Sequence, residues 1–146
     1  MPRPVDAAIP VDELLYRGIR PDDIDGDDVR TDAIDIHGMS VNRHKYNPKP
    51  EAAMNVARGR TRVASIRICD FPPPLKTDTG PVYQFQADDL PEEANPAHAE
   101  IRPIRVGIGW NSGHDIAPKN KRLLKEALAS RMKVLPQMAP PATVPA

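Results

Sequence analysis

A chain of 146 residues with 40% hydrophobic and 27% charged residues has the size and balance of one globular domain. Its 20 basic and 20 acidic side chains cancel, which excludes a molecule that holds nucleic acid or an anionic membrane by net charge alone. The lone Cys69 excludes an intrachain disulfide and a cysteine-based zinc cluster, and no apolar run is long enough to span a bilayer.

These features predict a cytoplasmic protein with no membrane partner. Eighteen prolines and only two Phe, three Tyr and one Trp predict a small, mostly aliphatic core, for which self-association into a homo-oligomer is one means of support.

In chain order, residues 1–10 carry three prolines and read as an extended arm, with Val5, Ile9 and Val11 available to lie on the body. LLYRGI reads as a short strand ending at Gly18, with a short helix through Leu14 and Leu15 capped by Asp12 as the alternative. PDDIDGDD is an acidic loop in which Asp23, Asp25, Gly26 and Asp32 occupy positions three, five, six and twelve of an EF-hand loop. Position one would be Pro21, however, and no amphipathic helix flanks the loop, so a solvated turn is the reading.

AIDIHGMSV, 33–41, alternates as a strand broken at Gly38. After the polar loop NRHKYNPKP, Pro50 and Glu51 suit the first turn of a helix over Pro50–Arg58 that Gly59 would close in a left-handed cap. TRVASIRIC alternates with Ala64, Ile66 and Ile68 facing a core, and FPPP stops it. VYQFQ is a further strand, ADDLPEEANPAHA a loop, and AEIRPIRVGIGW holds a strand from Glu100 to Ile108, with Pro103 placing at least that end at a sheet edge. Pro118–Met132 is the best amphipathic helix, with Leu124, Leu128 and Met132 as its stripe and Leu123 and Ala127 beside it. The ending, 136–146, is a proline-alanine tail of disordered character.

The expected architecture is therefore α+β: a mainly antiparallel sheet of about five strands with two helices packed on it, within a single domain over 11–135.

Charge is unevenly distributed. Residues 1–36 hold ten acids and four bases, and 37–67 hold seven bases and one acid. The basic segment, with Arg43, Lys45, Arg58, Arg60 and Arg62 as its binding residues, predicts a surface for an anionic partner, either nucleic acid or an acidic protein. The acidic block could instead face it in the fold. His37, His44, His98 and His114 stand in four separate segments without metal-ligand spacing, so no metal is expected. Convergence of two of them on a phosphate would suit a metal-independent nuclease. Cys69 beside Asp70 reads as a buried structural thiol, and Ser40 lacks the G-x-S-x-G elbow of a serine hydrolase.

Two resemblances add to this. LYRGI, MSV and HAEI in that order, with PEAAMNVARG after the second, resemble the arginine, serine and glutamate strands of ADP-ribosyltransferases. That resemblance implies an enzyme binding NAD, with Arg17 on the dinucleotide phosphates, Ser40 positioning it and Glu100 as the catalytic acid. His98 stands where the family carries a second acid or glutamine, and one serine replaces a serine-threonine-serine run. Leu-Tyr-Arg, Met-Ser-Val-Asn-Arg and Asn-Pro-Ala-His-Ala also resemble a group of small uncharacterised bacterial proteins. This likeness covers Leu14 to about Val134 and implies a free-standing bacterial domain without lending an activity.

Taken together, the sequence predicts a small interaction or accessory protein with a basic surface, with the NAD-binding enzyme as the alternative and the nuclease third.

Overall fold

Alternation of apolar and polar residues in LYRGI, MSVNR and RVASI produces three adjoining strands whose even and odd positions face different surroundings. In the computed structural model, which describes residues 2–110 and 116–141, these are β1 (Leu15–Ile19), β4 (Met39–Arg43) and β5 (Arg62–Ile66). Two short strands, β2 (Ile24–Asp25) and β3 (Asp28–Val29), form a separate hairpin. The others are β6 (Leu75–Lys76), β7 (Val82–Asp89), β8 (His98–Arg105), β9 (Gly109–Trp110) and β10 (Lys133–Val134). The single α-helix among the described residues is α1 (Pro118–Ala129).

The main sheet runs β10-β5-β1-β4-β8-β7-β6, antiparallel at every junction, with β9 paired to β8, and it curls into a half-barrel. One face is apolar: Leu15, Ile19, Met39, Val41, Ala64, Ile66, Phe85, Ala99 and Ile101 are all buried. Helix α1 closes this side with Asn120, Leu124 and Leu128, four residues apart and buried, while Leu123 is 38% exposed. Stripe residues at i and i+4 share a helix face, which is why Leu124 and Leu128 enter the core and Leu123 does not. The opposite face of the sheet carries Ser40, Asn42, Gln86, Asp88, His98 and Glu100, all polar.

The expected five strands and two helices are corrected to a curled sheet of seven strands in one path, with β9 added on β8, and a single α-helix among the described residues. Pro50–Ala53 and Val56–Arg58 are two short 3₁₀ turns, with Met54 extended between them at φ −65°, ψ 149°. A segment this short lies below the length at which helix nucleation is repaid, so packing over β1 decides its path. Gly59 does adopt the left-handed backbone, at φ 72°, and Asn55 and Arg60 exchange both backbone hydrogen bonds at 3.0 and 2.9 Å.

Residues 31–38 are not strand: Thr31–Ala33 is a 3₁₀ turn, although Ile34 and Ile36 are buried. Most of the ADDL stretch belongs to β7, which extends to Asp89 because the register with β8 continues to Ala99. Pro103 lies inside β8, in the gap on one side between β4, whose pairing ends at Ile101, and β9, whose pairing begins at Ile104. Cys69 is exposed rather than buried, since the strand stops at Ile66 and the turn Ile68–Asp70 faces it outward.

Candidate functional site

Two arginines stand in the apolar face of β1 and β4, and their surroundings differ sharply. Arg43 is fully buried and meets three carboxylates: Glu13 at 2.8 Å, Asp6 at 2.7 Å and Asp89 at 3.0 Å. Arg3 of the N-terminal arm adds a two-pronged contact to Asp89 at 2.7 and 2.6 Å and lies 3.4 Å over the Tyr46 ring. Burial opposes the charge on Arg43, but Glu13, Asp6 and Asp89 outweigh it and hold the guanidinium above its ordinary pKa. This is a structural ion network.

Arg17 is 7% exposed and forms no ion pair among the described residues. The ladder between β1 and β4 stops after Leu15↔Arg43 and Tyr16↔Asn42. In the opening beyond it, the Arg17 guanidinium donates from Nη1 to the Ser40 carbonyl at 3.1 Å and from Nη2 to the Ala33 carbonyl at 3.3 Å. Its Nε is buried and has no partner. Burial first, then the nearby Arg60 cation, push Arg17 down to about 10, against weaker support from Asp35 and Asp23. At neutral pH it remains charged, with its charge poorly compensated.

Arg17 and Arg60 together line three neighbouring cavities. The first, of about 310 Å³, is a groove on the polar face, floored by Tyr16, Gly18, Ser40, Asn42 and His98, with Ala52–Asn55 and Arg60 as one wall and Glu92 and Asn95 as the other. The second, about 420 Å³, adds Arg20 and Arg30 beside Asp22, Asp23 and Asp32. The third, about 380 Å³, adds Lys121 and Lys125 of α1 and His37 beside Asp32 and Asp35. Gly18 permits the first wall: a Cβ there would overlap the Ala53 carbonyl oxygen and lie 3.0 Å from its carbon.

The residues expected from the sequence are distributed as follows. Arg43 is consumed by the ion network, and Lys45, 3.6 Å from Asp6, belongs to its margin. The acidic N-terminal block therefore faces two of the seven bases of the basic block, Arg43 and Lys45, through Asp6 and Glu13. Arg58 is exposed and outside the three cavities. Arg62 donates to the Leu135 carbonyl at 3.2 Å. Of the five binding residues, Arg60 alone lines these cavities.

Arg17, Ser40 and Glu100 stand on three successive sheet neighbours, β1, β4 and β8. The register sets Ser40 opposite Glu100 on the polar face, whereas Arg17, two residues from the buried Leu15, projects from the apolar face. His44 contacts the Tyr16 hydroxyl at 2.6 Å, His98 lies in the groove, His37 lines the third cavity, and His114 lies outside the described residues. Among the described residues, no group of three or more His, Cys, Asp or Glu could hold a metal ion, and no helix is long and apolar enough to cross a membrane.

Sequence reasoning missed Asn42, Asn55, Asn95, Lys121 and Lys125 as cavity residues. The three asparagines come from a strand, a turn and a loop far apart in the chain, so no local signal marks them. No family model, no curated protein and no solved structure matches this chain.

Proposed function

We propose that the protein is a binding module for an anionic, phosphate-bearing partner whose charged group enters the cleft between Arg17 and Arg60. One observation carries this: a buried guanidinium with a free Nε and no carboxylate partner stands beside a second arginine that also lacks an ion pair among the described residues. Holding an uncompensated cation out of water is unfavourable, and a bound anion would offset that cost. Guanidinium groups match the geometry of phosphate oxygens, which favours phosphate as the group recognised.

Calorimetric titration with inorganic pyrophosphate tests the reading. Binding should be saturable, should weaken as salt rises, and should fall at least tenfold in Arg60→Gln while Arg58→Gln stays within about twofold. Equal losses in the two variants would mean a diffuse basic surface and would defeat the cleft.

The reading as an NAD-binding enzyme with Arg17, Ser40 and Glu100 draws support from the placement of all three on adjacent strands and from the Arg17 contact with the Ser40 carbonyl. Against it stands the register, which separates Arg17 and Glu100 onto opposite faces. Titration with NAD distinguishes the two: affinity well beyond that for pyrophosphate, lost in Arg17→Ala, would favour the enzyme.

A further inference from the structure

The polar groove contains a pair of side chains that anion binding does not use. Ser40 is exposed, and its Oγ lies 3.2 Å from Nε2 of His98 across the β4–β8 ladder. The other ring nitrogen, Nδ1, is 2.8 Å from the Leu90 carbonyl oxygen. A carbonyl can only accept, so Nδ1 carries the hydrogen and Nε2 of the neutral ring offers its lone pair. The Ser40 hydroxyl is therefore the donor. A nucleophile facing a base whose tautomer is fixed from behind is the arrangement that activates serine for covalent catalysis.

The groove supplies a donor as well. Asn95 Nδ2 donates to Asn42 Oδ1 at 2.8 Å, which leaves the Asn42 amide hydrogens unclaimed among the described residues, directly across the ladder from His98.

We propose that Ser40 and His98 form a nucleophile–base pair that cleaves an ester bearing an anionic group. This rests on the anion-binding reading, because Arg60, one side of the proposed anion cleft, is also a wall of the groove that holds Ser40 and His98. Ser40 Oγ bonds to the acyl carbon as its proton passes to Nε2. The bond to the leaving oxygen then breaks and that proton departs on the alcohol. Water repeats the sequence on the acyl-serine, releasing a carboxylic acid and restoring both side chains.

A fluorophosphonate probe tests the pair directly, since its reaction forms an Oγ–P bond, moves the proton to Nε2 and expels fluoride. The wild-type protein should acquire one adduct, mapped to Ser40 by peptide mass. His98→Asn retains a donor for the Leu90 carbonyl and removes the base, so its labelling should be at least tenfold slower. The adduct on wild-type Ser40 does not depend on how any variant folds, and an unchanged far-UV circular dichroism spectrum in His98→Asn ties its slower labelling to the lost base.

Absence of an adduct on Ser40 or an unchanged rate in His98→Asn would overturn the pair. Inorganic pyrophosphate should slow labelling in the wild type and not in Arg60→Gln. Labelling that depends on His98 but ignores pyrophosphate would keep the pair and reject the anion cleft. Pyrophosphate binding without any adduct would do the reverse.

Discussion

At the scale of single residues, Arg17 and Arg43 form a natural experiment in what a buried charge is for. Removing Arg43 leaves Asp6, Glu13 and Asp89 repelling one another, and loss of one partner from a buried ion network costs about 3–5 kcal/mol. Arg43→Met should lower the stability measured by urea unfolding by that order. Arg17→Met removes a charge that has no carboxylate partner, and relief of its desolvation opposes the loss of two hydrogen bonds to carbonyls. That variant should stay within about 1 kcal/mol of wild type while losing pyrophosphate binding. An Arg17→Met variant as unstable as Arg43→Met would mean that Arg17 serves the fold. Gly18 is the other residue to test. The overlap of an added Cβ with Ala53 should cost about 1–3 kcal/mol in Gly18→Ala and shift the groove wall, weakening anion binding in the same variant.

Among the elements, the segment 50–60 matters most for the site, and it is where the expected helix fails. PEAAMNVARG has good helical composition, but about two turns cannot nucleate alone. Crossing over Gly18 draws the chain into two 3₁₀ turns joined by extended Met54. The two-way backbone bond between Asn55 and Arg60 then presents Arg60 to all three cavities. The N-terminal arm is a second element held by tertiary contacts, with Arg3 on Asp89 and Tyr46, and Asp6 on Arg43 and Tyr46. Arg3→Ala should loosen it, read as faster proteolytic cleavage within residues 2–10 and no change in pyrophosphate affinity. Cleavage at the wild-type rate would show that Arg3 does not anchor the arm.

For the whole molecule, the acid-rich beginning and the base-rich middle meet in the ion network, which makes stability depend on pH. Burial alone would raise the Asp89 carboxyl, but hydrogen bonds from Arg3, the Asp6 backbone N–H and Arg43 outweigh it and hold the group well below its ordinary 3.8. A carboxylate depressed in the folded state contributes stability that is present above 3.8 and lost as pH falls through the folded value. The melting temperature should therefore drop steeply below about pH 4, and the drop should be shallower in Asp89→Asn, already weakened at neutral pH. Equal slopes would remove Asp89 from the account.

Local sequence determined the strands around Leu15–Ile19 and Arg62–Ile66, the VYQFQ start of β7, the helix beginning at Pro118 and the burial of Leu124 and Leu128, because each depends on near neighbours in the chain; Gly59 is left-handed as expected, although the helix it was to close is absent. Which basic residues stay free, where β1 and β4 part, and which asparagines and histidines share a groove were decided only by the tertiary structure. Those outcomes depend on strand order and register, which bring residues dozens of positions apart, such as Ser40 and His98, within hydrogen-bonding distance.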